Sequence, residues 1–415
     1  MCGAELLSWG SAWTDPDVEA IKEIQKRLDQ LNEEEISETS KVEFLDLSKR
    51  MDELLQKQEI YWAQRSRVSW LKHGDKNTKK IHSKATQRRR KNHIRGIKND
   101  QGQWVEEIED VVEVALDYFH TLFHVRAGDQ MEECLNAVHT RVTKDMKVVL
   151  SSEFTADEVR VAIFQMGPTK APGPDGMNAL FYQKFWHIVG DDVVCAVMVF
   201  LNNGNMLPEI NHTNILLIPK VKDPEKMFDF RPISLCNVIY KIISKVLANK
   251  LKQVLPHIIS PKQSAFVPGR LIIDNVLVAY KTLHTMHARK KGKKGSMALK
   301  LNISKAYDRL EWQFLQGIME KMGFPTQWIE RVMSCVTTAS FSILVNGKPY
   351  GMVHPSRGIR QENPLSPYLF LLCAEGFTAL FAKAELEGRI KGVFICRGAP
   401  RVTNLLFADD SLLFC

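Results

Sequence analysis

Leu405-Leu406-Phe407-Ala408-Asp409-Asp410-Ser411-Leu412-Leu413-Phe414 sets two adjacent carboxylates between two apolar runs. Runs of this length on either side of a two-residue acidic break predict a β-hairpin with the acids at its tip. Two carboxylates cannot lie side by side against a core without compensation, because like charges repel and desolvation is costly. A divalent cation supplies that compensation, and hard oxygen donors suit Mg²⁺. An ordinary solvated Asp-Asp turn satisfies the same ten residues, so the rest of the chain has to decide.

The chain has 415 residues, 45% of them hydrophobic, and a mean hydropathy of -0.19. At about 150 residues per domain, that length suggests two or three domains with an ample core. No apolar run reaches the roughly 18 residues needed to span a bilayer, which argues against a membrane partner. The N-terminus, Met1-Cys2-Gly3-Ala4-Glu5, has no signal-peptide pattern. The eight cysteines are scattered and include no Cys-x-x-Cys pair. That argues against a zinc site and a disulfide framework, and for a reducing, intracellular compartment.

The net charge of +8 is modest, but it is unevenly placed. Over residues 15–60, Ile21, Ile24, Leu28 and Leu31 recur at helical spacing. Phe44, Leu47, Met51, Leu54 and Leu55 make a second stripe. The two predict a helical hairpin or short coiled coil. Residues 65–98 are different. Arg65, Arg67, Lys72, Lys76, Lys79, Lys80, Lys84, Arg88, Arg89, Arg90, Lys91, Arg95 and Lys98 face one acid, Asp75, with Trp70, His73, His82 and His93 interleaved. Such cation density favours a polyanion through phosphate contacts and counterion release. A solvated basic helix face, or a nuclear-targeting run at residues 88–91, is the competing reading.

From about Val111 the pattern is that of an α-rich globular fold. Thr155-Ala156-Asp157-Glu158 is a capping box that opens a helix through Met166. Gly167-Pro168-Thr169-Lys170-Ala171-Pro172-Gly173-Pro174-Asp175-Gly176 follows, a turn that can be neither helix nor strand. Ile215-Leu216-Leu217-Ile218-Pro219-Lys220 reads as a buried strand ending in a cation. After a polar loop comes Asp229-Phe230-Arg231-Pro232-Ile233-Ser234-Leu235, then a basic amphipathic helix from Val238 to Leu255. Lys220 and Arg231, on the two sides of a hairpin, form a candidate triphosphate clamp. Two cations alone are a weak signal, since most are surface residues.

Taken in order, the motifs are far more specific. They are Gly173-Pro174-Asp175-Gly176, Phe230-Arg231-Pro232-Ile233-Ser234, Gln263-Ser264-Ala265-Phe266-Val267-Pro268-Gly269-Arg270, Ser304-Lys305-Ala306-Tyr307-Asp308-Arg309, Arg360-Gln361-Glu362-Asn363-Pro364-Leu365-Ser366-Pro367, and Phe407-Ala408-Asp409-Asp410. This series closely resembles the reverse transcriptase of non-LTR (LINE-type) retrotransposons, especially those of plants. Upstream, Trp70-Leu71-Lys72-His73-Gly74-Asp75-Lys76-Asn77-Thr78-Lys79 and Arg88-Arg89 resemble the segment that precedes the polymerase in those elements.

The resemblance implies an α+β fold with right-hand polymerase fingers and palm, the palm an antiparallel sheet with helices. An α-helical N-terminal region precedes it. Residues 1–64 would be the helical hairpin and 65–150 a basic linker and helical segment. Residues 151–296 would be fingers and 297–415 an incomplete palm. Lys220, Arg231 and Gln361 would face the incoming nucleotide. Tyr307 occupies the family's steric-gate position, where an aromatic ring excludes a ribose 2′-hydroxyl. Asp409 would ligate both of two Mg²⁺ ions, with Asp410 its neighbour. An RNA template, a DNA primer and deoxynucleoside triphosphates are the implied partners, and the nucleus or cytoplasm the implied place.

The second palm strand should supply another carboxylate, immediately before the hydrophobe-Ser-Lys-Ala-Tyr-Asp run. Here that residue is Asn302. If one metal's stabilisation falls by about 4 kcal/mol, the rate drops on the order of a thousandfold. Asp308 is six residues further on and is not expected to substitute. The family's Gln-Gly-Asp becomes Gln361-Glu362-Asn363, and an aromatic pair usual after Lys79 becomes Lys80-Ile81. The chain stops five residues past Asp410, so the thumb is expected to be missing and the copy truncated and partly decayed. Three readings remain at this stage: a working RNA-directed DNA polymerase, a catalytically impaired fragment that binds nucleic acid, and an inert relic.

Overall fold

The computed structural model describes residues 16–33, 37–66, 87–88, 90–125, 131–288, 295–396 and 398–415. It divides into one unit of Met1–Arg95 with Pro219–Glu225, and a second of Gly96–Ile218 with Lys226–Cys415.

In the first unit, α1 (Pro16–Glu33) and α2 (Glu38–Ser66) form the expected helical hairpin. Ile24, Leu28 and Met51 are buried between them, with Ile21, Phe44, Leu47 and Leu54 packed alongside. The Arg27 guanidinium donates to both Glu43 carboxylate oxygens, at 2.8 and 3.0 Å, and so ties one helix to the other. Leu55 falls off the stripe and is exposed.

The second unit opens with a small ladder, β1 (Ile97–Lys98) with β2 (Trp104–Val105), and then α3 (Ile108–Phe123). Short helices α4 (Met131–Asn136) and α5 (Lys144–Ser151) lead to α6 (Ala156–Phe164). Both arms of the α6 capping box form. The Glu158 amide donates to Thr155 Oγ1 at 3.2 Å, and the Thr155 amide donates to Glu158 at 2.8 Å. The helix stops two residues short of Met166, as Gly167-Pro168 approaches. Next come α7 (Ala179–Lys184), α8 (Trp186–Asn203), α9 (Pro208–Asn211) and β3 (His212–Pro219), which starts three residues earlier than its apolar run. A single turn of 3₁₀ helix precedes β4 (Phe230–Cys236).

The helix α10 (Val238–Ile258) is the expected basic amphipathic element, three residues longer and with one lysine inside the core. Tyr240, Ile243, Val246, Leu247, Leu251 and Leu255 are buried, while Lys241, Lys245, Asn249, Lys252, Gln253 and His257 make a half-buried to exposed polar face. Lys250 is only 3% exposed. Its ammonium donates to the carbonyls of Ser152, at 2.6 Å, and Glu153, at 3.3 Å, just past α5, and sits 3.9 Å from the Phe154 ring centre. A lysine can therefore serve the core: its stem is apolar, and its charge meets carbonyls at a helix C-terminus.

The remaining elements are α11 (Ile272–Ala288), β5 (Ala298–Asn302), α12 (Trp312–Met322), α13 (Thr326–Thr337), β6 (Ser340–Val345), β7 (Lys348–Val353) and α14 (Ser366–Leu386), followed by β8 (Val393–Phe394), β9 (Arg401–Val402), β10 (Asn404–Phe407) and β11 (Asp410–Phe414). One sheet has the order β4-β3-β6-β7. In it β3 runs parallel to β6, and β6 turns back into β7 through Asn346-Gly347, both at positive φ. Pro232 is tolerated because β4 is an edge strand. A second sheet, β10-β11-β5, is antiparallel throughout. The main core gathers around α10 from α6, α8, α12, α13 and α14. No helix among the described residues is long and apolar enough to cross a membrane.

Candidate active site

The apolar runs around the two aspartates form β10 and β11, with Phe407 opposite Asp410. Leu405, Leu406 and Phe414 are buried, which holds the register. The two-residue tip is Ala408-Asp409, so Asp410 is the first residue of β11 rather than part of the turn. Ala408 takes φ 51, in the left-handed region.

Strand β5 pairs antiparallel with β11 and sets Asn302 directly opposite Asp410. The Ile303 amide donates to the Asp409 carbonyl at 3.2 Å. Two segments more than a hundred residues apart thus bring Asn302, Asp409 and Asp410 to one end of a sheet. Lys300 shares a face of β5 with Asn302. Its ammonium lies 3.1 Å from Asp410 Oδ1, an oxygen that is enclosed and receives no hydrogen bond.

This oxygen set is of the hard type that Mg²⁺ takes, and the sheltered Asp410 oxygen is placed for a positive charge. Two carboxylates and one amide oxygen would be the donors available to a divalent cation there. They would hold it less firmly than three carboxylates would, and Lys300 already offsets part of their charge.

The Ser304–Arg309 motif lies beside the segment around Gln361. The Ile359 amide donates to the Tyr307 carbonyl at 2.8 Å, and the Gly358 amide to that of Leu310 at 2.7 Å. Gly358 has φ 94, and a Cβ there would stand 2.8 Å from the Asp308 carbonyl oxygen, so the close approach requires glycine. Tyr307 stacks on Phe370 of α14, with ring centres 5.5 Å apart and planes 12° from parallel. Burial first, then the nearby Asp409 charge, pushes its phenol up to about 12. Gln361 Nε2 donates to Asp308 Oδ1 at 3.2 Å. Asp308 is 3% exposed and engaged there, in keeping with the expectation that it does not stand in for residue 302.

Glu362 stands where the resemblance places glycine, and its φ is 66. The backbone has kept the conformation that favours glycine while the side chain has changed. Its carboxylate lies 3.3 Å from the Lys170 ammonium, an exposed pair. Asn363 is buried; its Nδ2 donates to Tyr240 Oη at 3.0 Å, and its Oδ1 accepts from the Leu365 amide at 3.3 Å.

The turn over residues 167–176 docks on the start of α10. The Asp175 amide donates to Asn237 Oδ1 at 3.2 Å, and Lys241 Nζ donates to the Ala171 carbonyl at 3.2 Å. A Cβ on Gly173 would stand 2.4 Å from the Asn237 backbone nitrogen. Burial raises the Asp175 carboxyl and lowers the Lys241 ammonium from their ordinary values.

Arg231 is exposed on β4, whereas Lys220 falls in the Pro219–Glu225 segment of the first unit. Of the basic run, Arg65 lies within α2, and Arg88, Arg90 and Lys91 are helical, with Arg90 and Lys91 exposed. Arg67, Lys72, Lys79, Lys80 and Arg89 lie outside the described residues.

Residues 218–415 match the family described as reverse transcriptase (RNA-dependent DNA polymerase). This chain carries a reverse transcriptase domain. The match takes in the hairpin, β5, the Tyr307 loop and the Gln361 segment. An uncharacterised 149 kDa protein of transposon TX1 from Xenopus laevis is 29% identical over 374 residues, 89% of this chain and 28% of that protein. The Pol polyprotein of the type-2 retrotransposable element R2DM from Drosophila melanogaster is 26% identical over 265 residues, 63% of this chain and 23% of that protein. An uncharacterised mitochondrial protein of Arabidopsis thaliana is 50% identical over 68 residues, 16% of this chain and 56% of that protein. The chain thus spans less than two thirds of each of these relatives. The domain is of the type found in the Pol proteins of non-LTR retrotransposons.

Two contacts of the reverse transcriptase domain escaped sequence reasoning: Phe370 behind Tyr307, and Asp308 beneath Gln361. Phe370 reads as one more apolar residue of a helix, and nothing in its spacing marks it. Asp308 was visible inside its motif, but its partner lies 53 residues away.

Proposed function

We propose that this chain is the fingers and palm of an RNA-directed DNA polymerase from a LINE-type element, with nucleotidyl transfer impaired at Asn302. The register that sets Asn302 opposite Asp410, with Asp409 at the adjacent tip, carries this reading. On it, residues 151–296 act as fingers, 297–415 as palm, and 65–150 as a basic approach to nucleic acid. The 50% identity with an Arabidopsis thaliana protein over 68 residues supports a plant affinity.

Asp409 and Asp410 would hold Mg²⁺, with Asn302 adding a neutral oxygen. When bound, the ion would acidify a primer 3′-hydroxyl and offset charge on the transferring phosphate. Arg231 offers a fork of donors to a triphosphate. Tyr307, braced by Phe370, presents a rigid wall against a ribose 2′-hydroxyl. Gln361, tethered to Asp308, keeps its amide in one place for the nucleotide or template. Asn302 keeps the shape of an aspartate and lacks its charge, so the metal is held weakly and turnover falls. The working partners are an RNA template, a DNA primer and deoxynucleotides, encountered in the nucleus or cytoplasm.

The test is dTTP incorporation on poly(rA)/oligo(dT) by the Asn302→Asp, Glu362→Gly variant. Incorporation that disappears when Asp409→Asn is added supports the proposal. No incorporation, or incorporation that ignores Asp409→Asn, counts against it.

A further inference from the structure

The Gln263–Arg270 motif carries no role in the chemistry above, yet it lies against the catalytic hairpin. The Leu406 amide donates to the Lys262 carbonyl at 2.9 Å, and the Ser264 amide donates to the Leu406 carbonyl at 3.2 Å. Residue 263 is thereby drawn alongside β10 in a parallel bridge to Leu406. Its side chain is 1% exposed and reaches past the end of that strand. Gln263 Oε1 accepts from the Ala265 amide at 2.9 Å and from the Ala408 amide at 3.2 Å.

Ala408 is the left-handed residue of the tip and directly precedes Asp409. An alanine in that conformation needs outside support, since the left-handed region costs an L-residue roughly 1–2 kcal/mol. Gln263 supplies a hydrogen bond to its amide from a buried position.

The base of this contact is itself fixed. Arg270 Nη1 donates to the carbonyls of Ser260 and Gln263, and Nη2 to those of Pro256 and Ile259. Two of these carbonyls, Pro256 and Ile259, belong to the end of α10, where helix carbonyls have no partner of their own. Asn275 Nδ2 donates to the Lys262 and Leu406 carbonyls, at 3.1 and 2.9 Å, which closes the same junction from α11. A rigid line thus runs from the core helix through Arg270 and Gln263 to the hairpin tip.

We infer that Gln263 is a positioning residue: it locks the Ala408-Asp409 turn and so aims the Asp409 carboxylate at the metal. What Asp409 does there rests on the polymerase reading; the lock on the turn does not.

The decisive pair of variants is Gln263→Met, which keeps the length and removes the acceptor, and Gln263→Glu, which keeps it. Gln263 Nε2 makes no hydrogen bond, and burial favours the neutral carboxylic acid of Gln263→Glu, whose carbonyl oxygen keeps the acceptor. Hydrogen-exchange mass spectrometry reads peptides across residues 404–411 and, as an internal reference, across α10. Loss of one such bond should speed exchange at the tip by about tenfold in Gln263→Met, with α10 unchanged and Gln263→Glu close to the parent. In the Asn302→Asp background, Mn²⁺ affinity followed by electron paramagnetic resonance should fall severalfold in Gln263→Met alone.

Unchanged exchange at the tip overturns the inference. So does equal acceleration in both variants, which makes Gln263 a packing residue only. Tip exchange that depends on Gln263, with no Mn²⁺ bound by any form, supports the lock and counts against the polymerase reading instead.

Discussion

Around α10, Arg360 is 5% exposed, and both terminal nitrogens of its guanidinium are engaged. Nη1 donates to the Asn211 carbonyl and Thr213 Oγ1, Nη2 to Asn211 Oδ1 and the Cys335 carbonyl, and the group lies 3.8 Å over the Tyr240 ring. At the hairpin end of the other sheet, Asn404 Nδ2, Asp410 Oδ1, Ser411 Oγ and the adjoining Gln263 Nε2 are enclosed without a hydrogen bond. The β5 strand beside them is an edge strand with Ala298, Leu299, Lys300 and Asn302 exposed. Around α10 such unbonded groups are scattered, at Trp328 Nε1 and Ser366 Oγ; at the hairpin end they gather. Enclosed polar groups beside paired carboxylates suit a place that meets charged ligands, and they leave stability there less dependent on any one polar group.

The largest expected effect is around α10. Arg360→Met takes the donor from Asn211 Oδ1 and Thr213 Oγ1 and one donor each from the Asn211 and Cys335 carbonyls, and should lower stability by about 3–5 kcal/mol, read as a shift in urea midpoint. A loss below about 1 kcal/mol would break the contrast. A matched pair sharpens it. Thr213→Val removes an acceptor from that guanidinium and should cost about 1–2 kcal/mol. Ser411→Ala removes a hydroxyl that is 3% exposed and unbonded, and should cost nothing or stabilise slightly. Equal losses from the two would show that the hairpin hydroxyl is satisfied in solution. Smallest is Glu362→Gly, which relieves φ 66 and should raise stability by about 1 kcal/mol, because the exposed Lys170 pair contributes little. A decrease would mean that the ion pair outweighs the backbone strain.

Local chemistry made much of this fold legible. The hairpin around Asp409, the capping box at Thr155, the strands bearing Ile215 and Ile233, and the helical pair led by Ile24 and Met51 all follow from spacing within a few residues. What stayed hidden depends on partners distant in sequence. The burial of Lys250 within α10 could not be read from the sequence, because it draws its carbonyls from residues 97 and 98 positions earlier. The bond from Ala408 to Gln263 spans 145 residues, and a glutamine inside a motif does not announce what it will hold. The resemblance set residue 302 and Asp409 on two separate strands; the direct pairing of Asn302 with Asp410 was not anticipated, because no periodicity fixes the register between strands so far apart. The positive φ at Glu362 was foreshadowed only by the glycine that relatives carry there.

The central claim is that Asn302, Asp409 and Asp410 form one metal site short of a carboxylate. Mn²⁺ titration by electron paramagnetic resonance, on the purified chain beside its Asn302→Asp variant, tests this most directly. The account predicts binding at least about tenfold tighter in the variant, lost again when Asp409→Asn is added. Equal affinity in the two forms, or tight binding that survives Asp409→Asn, would contradict it.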